Sequence, residues 1–274
     1  MSGAVVLTAR GAQDTTVDAG ELRFDRFAEL GAAEIERQTI WAAGAGPVPL
    51  AELFTVRGQR SAQVRVVGDL RRVERLGAGH QSGELTIEGP AGREVGLRMR
   101  GGRITVLGNA GWGAGLEMAG GVLDVAGDTG PRAGAAGPGA KRGMTGGEMI
   151  VRGSAGPEAG ASMRRGLLAV AGDAGPGAGR ATIAGTVVVF GATGGDAGQW
   201  SKRGSLMALG SVSIPATYRY ACTYRPQYAN LLLRYLEERH RLPAGRARHT
   251  GLFRRYSGDL AELGAGEILA WTAE

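Results

Sequence analysis

The chain has 274 residues, 50 of them glycine, against an average usage of about 7%. A glycine-rich chain without a period reads as disordered, but these glycines recur at fixed spacings among aliphatic residues, which is the mark of a folded repeat. The single cysteine, Cys222, excludes an intrachain disulfide and a cysteine-ligated iron–sulfur cluster held by this chain alone. The net charge is +6, carried almost wholly by arginine (Lys141 and Lys202 are the only lysines), and residues 211–257 hold nine arginines against Glu237 and Glu238. Such asymmetry suits an acidic partner or ligand, or simply a solvated surface in an arginine-rich composition.

The first 66 residues are expected to form a mixed α/β capping segment. MSGAVVLTARG has no charged region leading into a long apolar one, and nowhere does an apolar run approach the roughly 18 residues a membrane span needs. A cytoplasmic location with no membrane partner is the expectation, and no feature points to nucleic acid. Val5–Leu7, Glu21–Phe24 and Phe54–Val56 read as short strands, Ala32–Gln38 as a helical turn, and Trp41 with Val48-Pro49-Leu50 as packing residues. Val64–Val67 with Gly68-Asp69 resembles a degenerate first repeat.

From residue 67 to 210 the fold class is expected to be mainly β, a stacked-coil β-helix (β-solenoid). The glycines closing successive apolar strands are Gly89, Gly108, Gly127, Gly153, Gly172, Gly191 and Gly210, at intervals of 19, 19, 26, 19, 19 and 19 residues. The first six open a G-x-x-G-x-x-x-G pattern. Aliphatic pairs two and four positions before each glycine, from Leu85/Ile87 to Leu206/Ala208, have the period of a strand with one buried face. Met99, Met118, Met163, Thr182 and Ser201, ten residues after a strand glycine, mark a second inward position, so each coil is expected to hold two short strands. The glycines then serve corners, by positive φ or close backbone approach. Asp128 and Asp173 stand where every corner needs a turn residue, a better account of them than a metal pair.

The third coil is seven residues longer, and its excess within residues 134–146, including Lys141-Arg142, must protrude. Arg164-Arg165 and Lys202-Arg203 share one repeat phase, with Arg98 and Arg100 near it. Lys141, Arg142, Arg164, Arg165, Lys202 and Arg203 are therefore the candidate contacts for an acidic partner or an anion. The alternatives are a small-molecule contact and plain solvated charge.

Residues 211–274 are expected to supply a C-terminal helix and tail. Pro226 opens a helix whose Ala229, Leu232, Leu233 and Leu236 form an apolar stripe, and such a helix could plug the open end of the stack. Catalytic chemistry is not evident. His80, His240 and His249 lie outside any metal-ligand spacing, His240 on the helix's charged face and His249 in a basic loop. Cys222 reads as a buried apolar residue. The glycine runs lack the G-K-[ST] ending of a phosphate loop, and the 19-residue period is not that of a hexapeptide-repeat acyltransferase. No catalytic, cofactor or metal residue is assigned.

GDLRRVERLGAG (68–79), GGRITVLGNAGWGAG (101–115) and KRGMTGGEMIVRGSAGPEAGASMRRG (141–166) together resemble the C subunit of formylmethanofuran dehydrogenase. So do Tyr224-Arg225-Pro226 before the leucine-rich helix, the segment from Phe253 to Ala261, and Glu34–Trp41 followed by Val48-Pro49-Leu50 and Leu53-Phe54. The resemblance covers nearly the whole chain. It implies a non-catalytic subunit whose chemistry lies in its partners. In a bacterial formyltransferase/hydrolase complex those partners are amidohydrolase-like, formyltransferase and dehydrogenase-B-like subunits. They hold a metal-dependent hydrolase site and handle tetrahydromethanopterin and a methanofuran-type carrier on the way to formate. The arginine- and alanine-heavy composition favours that complex. The alternatives are a carbon dioxide-fixing formylmethanofuran dehydrogenase and, for the repeat alone, a domain like that of the glutamate synthase large chain.

Overall fold

A computed structural model describes residues 3–11 and 15–272, the side chains of residues 246 and 247 excepted, so the outermost residues of both flanking segments lie outside it. Among the described residues, nine short strands and α-helices precede the repeats: β1 (Val5–Ala9), β2 (Val17–Asp18), α1 (Ala32–Glu36), β3 (Thr39–Ala42), β4 (Gly46–Pro49), α2 (Leu50–Leu53), β5 (Phe54–Arg57), β6 (Gln63–Val67) and β7 (Val73–Glu74). The repeats supply β8 (Glu84–Glu88), β9 (Arg103–Val106), β10 (Val122–Val125), β11 (Glu148–Val151), β12 (Leu167–Val170), β13 (Thr186–Val189) and β14 (Ser205–Ala208). The tail adds β15 (Arg219–Tyr224), α3 (Gln227–His240), α4 (Gly245–Thr250), β16 (Leu252–Gly258) and β17 (Gly266–Thr272).

Among the described residues, thirteen of these strands form one sheet, in the order β15-β16-β17-β14-β13-β12-β11-β10-β9-β8-β6-β1-β5. From β1 through β6 and β8 to β14, and on to β17, neighbours pair in parallel. The register puts equivalent repeat residues side by side: Leu85, Ile104, Leu123, Met149, Leu168, Val187, Leu206 and Ile268 form one inward row. A second line of single parallel bridges runs Leu70–Ala91–Ala110–Thr129–Ala155–Ala174–Thr193.

The expected second strand does not form. Met99, Met118, Met163, Thr182 and Ser201 are buried, but they lie in turns, and their segments hold together by alternating which way each amide points. Arg98 N donates forward to Leu116 O (2.8 Å), Gly115 N back to Val95 O (2.8 Å), and Ala119 N back to Met99 O (2.7 Å). That alternation needs left-handed residues at every second position, and non-glycine residues such as Glu94 (φ 59°), Glu117 (φ 55°) and Trp200 (φ 62°) take them up alongside the glycines. In the long repeat Met144 takes the place of Met118 or Met163, because the seven extra residues precede it.

The three glycines of the motif divide into two kinds. Only the third, as in Gly115 (φ 66°) and Gly179 (φ 66°), is left-handed throughout the series. The first two are needed for close approach: a Cβ on Gly108 would lie 2.8 Å from the Gly89 carbonyl carbon, and one on Gly111 2.8 Å from Gly92 O. The turn residue after the first glycine links repeats. Asp128 N donates to Asn109 Oδ1 (2.9 Å), Ser154 N to Asp128 Oδ1 (2.7 Å) and Ala192 N to Asp173 Oδ1 (2.7 Å), which occupies both aspartates as backbone acceptors.

At the N-terminal end, β5 folds antiparallel on β1, α1 and α2 pack on β5, and Phe24, Phe27, Ile35, Leu50 and Phe54 close the core. Glu21–Phe24 is not a strand; the chain enters a 3₁₀ turn at Phe24–Ala28, whose two phenylalanines bury against each other at 5.5 Å between ring centroids. Trp41 is half exposed rather than packed, whereas Leu50 is buried.

The C-terminal helix does not plug the stack. The far end is closed by β17, by Tyr218, whose hydroxyl donates to Gly198 O (2.8 Å), and by the buried Asp259 carboxylate. That carboxylate accepts from Trp200 N (2.7 Å) and Ala261 N (2.8 Å), so it takes the amide that in earlier repeats bonds to a following repeat. α3 lies instead on the outer face of the sheet, burying Ala229, Leu233 and Leu236 against Ile150, Ala169, Val188, Met207 and Leu269. The outward row shows why it docks there: Thr86, Thr105 and Asp124 are polar or charged, and from Ile150 onward the row is apolar.

Two expectations test these forces. Gly194 would place a Cβ 2.5 Å from Pro176 N, whereas a Cβ on its neighbour Gly195 meets nothing within 4 Å. Gly194→Ala should lower stability by about 1–3 kcal/mol through overpacking, and Gly195→Ala should be neutral or slightly stabilising, read by urea unfolding. Burial pushes the Asp259 carboxyl up, but hydrogen bonding, with Ala261 N and Trp200 N as donors, outweighs it and holds the group below its ordinary value. Its stabilisation is therefore present above the unfolded carboxylate range, near about pH 4, and is lost as pH falls below it. Thermal unfolding should show Asp259→Asn less stable than the parent at pH 7, with the gap narrowing at pH 3.

Candidate functional site

The repeat brings several of the sequence-predicted basic residues into line. Arg164 N donates to Met144 O (2.8 Å), Ile183 N to Met163 O (2.7 Å) and Lys202 N to Thr182 O (2.8 Å), so Arg164 and Lys202 occupy one column two repeats apart, with Ile183 between them. At about 4.8 Å per repeat this separates them by about 10 Å. Arg165 and Arg203 follow in the next column, both exposed. Lys141 and Arg142 are exposed at the tip of the insertion, whose returning limb is anchored by Gly143 N donating to Ser162 O (2.8 Å), two residues before Arg164. Lys202 reaches Glu262 at 3.8 Å; the other five make no ion pair among the described residues. Arg100 shares the column but lies three repeats from Arg164, and Arg98 pairs with Glu117 at 2.9 Å.

A feature that sequence reasoning missed lies where the N-terminal segment meets the first repeats. Asp18, Arg23, Trp41, Arg75, Arg98 and Arg100 line a cleft of about 610 Å³. Most of its charge is compensated: Arg75 pairs with Asp18, Arg23 with Asp25 (2.8 Å) and Arg98 with Glu117. Residues 18 to 100 meet here only through the fold, so no local motif announces it.

The histidines and the cysteine differ from expectation. His240 is not on a charged face; it continues the buried stripe Ala229, Leu233, Leu236, and its Nε2 lies 2.8 Å from Glu148 Oε2. Glu148 also accepts from the Tyr235 hydroxyl (2.6 Å). At the other end of α3, Glu267 accepts from the hydroxyls of Tyr228 and Ser205 (2.8 Å each) and from Arg255 Nε (2.9 Å). Arg152 forks onto Asp124 (2.8 Å to each oxygen) and donates to His240 O (3.0 Å), which ties the helix C-terminus to the sheet. These carboxylates pin the helix and are fully engaged in doing so. His249 belongs to α4, its Nε2 2.9 Å from Glu237. His80 is buried, and desolvation lowers its pKa. Cys222 is exposed, not buried, because β15 projects beyond the packed core. Among the described residues no three His, Cys, Asp or Glu side chains gather as a metal site, and no helix is long and apolar enough to cross a membrane.

No family model matches the chain. A curated relative, the C subunit of a molybdenum-containing formylmethanofuran dehydrogenase 1 from Methanosarcina barkeri, is 33% identical over 96 residues, a match spanning only 33% of this chain and 32% of that protein. A chain in the crystal structure of the formyltransferase/hydrolase complex FhcABCD from Methylorubrum extorquens, in complex with methylofuran, is 32% identical and superposes with a TM-score of 0.90, covering 98% of this chain and 100% of that one. A long parallel β ladder with pinned flanks defines a class of repeat subunit. Within it, this chain belongs to the family of formylmethanofuran dehydrogenase C subunits.

The helix pins make a prediction. Glu148→Ala removes the partner of a buried imidazole and should cost about 1–3 kcal/mol. A double variant with Glu148→Leu and His240→Leu should recover part of that loss, since neither polar group is then stranded; equilibrium unfolding of both variants checks it.

Proposed function

We propose that this chain is the non-catalytic C subunit of a formyltransferase/hydrolase complex. It supports formyl transfer from formyl-tetrahydromethanopterin to a methanofuran-type carrier and hydrolysis to formate, with the reacting groups in partner subunits. The observation that carries the reading is the full-length match, flanks included, to a chain of such a complex. The match to the dehydrogenase chain extends over a third of each sequence, which makes carbon dioxide-fixing chemistry the second reading. A glutamate-synthase-type repeat is disfavoured by the same full-length match, because both flanks belong to it.

In this reading the 19-residue ladder is a β-solenoid, capped by residues 1–66 and by the tail from residue 211. A parallel ladder with a second line of bridges at a fixed offset supports it. The cations Arg164, Arg165, Arg203, Lys141 and Arg142, which make no ion pair among the described residues, are the part of this surface proposed to face an acidic partner. Charge-assisted contacts of that kind fix register and accelerate docking more than they add affinity.

Co-expression with the formyltransferase and amidohydrolase-like subunits should yield one assembly that releases formate. Omitting this chain should abolish assembly or lower the rate at least tenfold; unchanged assembly and rate without it would refute the reading. Molybdenum or tungsten with abundant iron in the native assembly would instead support the dehydrogenase. Charge reversal with Arg164→Glu and Arg203→Glu should weaken assembly in a salt-dependent way.

A further inference from the structure

The two ends of the thirteen-stranded sheet are finished differently. At one end β5 is covered by α1 and α2 and buries Phe54. At the other end β15 has β16 as its one neighbour in the sheet, and no backbone bond outside the sheet joins residues 219–224 to another described residue. Arg219, Tyr220, Ala221, Cys222 and Thr223 are all exposed, so both faces of the strand meet solvent as well as its outer edge. Tyr220 is 59% exposed and meets the ring of Tyr256 edge-on.

A strand in this state leaves backbone donors and acceptors without protein partners and offers a template for pairing. Proteins blunt such edges with lysine, proline or bulges. Here one bulge falls at Ala221, and Cys222, Thr223 and Tyr224 beyond it run in regular register with Arg255, Arg254 and Phe253. The ribbon is also one-signed: no Asp or Glu occurs in residues 211–236 or 251–258. Arg255 is taken by Glu267, while Arg219 and Arg254 have no carboxylate partner among the described residues.

We infer that β15 is a docking edge that accepts a β-strand from a partner subunit, one carrying carboxylates within reach of Arg219 on the edge strand and of the exposed Arg254 on the strand behind it. A second copy of this chain is a poor occupant, since two such ribbons would bring arginines together without acids to offset them. A partner helix or irregular loop would leave the edge amides unpaired. An extended acidic segment satisfies both the backbone and the charge. The inference rests on the chain being a member of a larger assembly.

Hydrogen exchange compares the isolated chain with the co-expressed complex over residues 219–226, and Cys222, the sole cysteine, gives a second readout through its rate of N-ethylmaleimide labelling. In the complex both rates should fall at least tenfold. A double variant with Arg219→Glu and Arg254→Glu should keep the parent melting temperature alone and lose at least tenfold of the co-purified partner. A complex that forms with exchange and labelling unchanged overturns the strand-addition inference and leaves the subunit reading standing. Protection of the isolated chain that grows with its concentration also overturns it, in favour of self-pairing. Failure to co-purify any partner would bring down the subunit reading and this inference together.

Discussion

The structure depends on one constraint: backbone must approach backbone, repeat after repeat, closely enough for amides at equivalent positions to bond directly. β-strands meet that demand with any side chains, but turns do not. In the turns the demand falls on Gly108, Gly111 and their equivalents, where a single methyl group would strike the preceding repeat. It falls as well on an alternating series of left-handed residues that lets successive peptides point up and down the stack. The 19-residue period follows, because a repeat of another length would carry every glycine out of the place where it is needed. The long third repeat obeys the same rule by returning Met144 to the column before the next strand begins.

A ladder of this kind has no natural end, and the flanks answer that at each terminus by different means. The N-terminal segment folds back an antiparallel strand and covers it with two short helices. The tail adds one more parallel strand and places the Asp259 carboxylate on the Trp200 amide that no further repeat receives. The long helix serves another purpose: it covers the half of the outer face where the strands turn apolar, pinned through Glu148 and Glu267. What remains open are the surfaces proposed for docking, namely the exposed cations around Arg165, Arg203 and the insertion, and a basic edge strand.

Much of the ladder was legible from the residues. Leu85/Ile87 and their equivalents alternate with period two, and six registered glycine triplets leave one way to stack them. The second strand was misread because burial at Met99 and Met118 says nothing of backbone conformation, and left-handed Glu94 and Glu117 carry no sequence mark. The helix stripe told which face of α3 is buried but not against what. The change from Thr86, Thr105 and Asp124 to Ile150, Ala169 and Val188 held that answer, and the 229, 233, 236 spacing continued to His240. Cys222 and the arginine-lined cleft were beyond such reading, since exposure on a projecting ribbon and the meeting of Asp18 with Arg100 arise only in the fold.

The central claim is that this molecule works as one member of a heteromeric assembly. Native mass spectrometry of the tagged chain, purified gently from the cells that make it, tests that claim most directly. The account predicts a particle containing this chain together with formyltransferase and amidohydrolase-like subunits in fixed proportion. A particle made of this chain alone, with no other subunit in constant ratio, would contradict it.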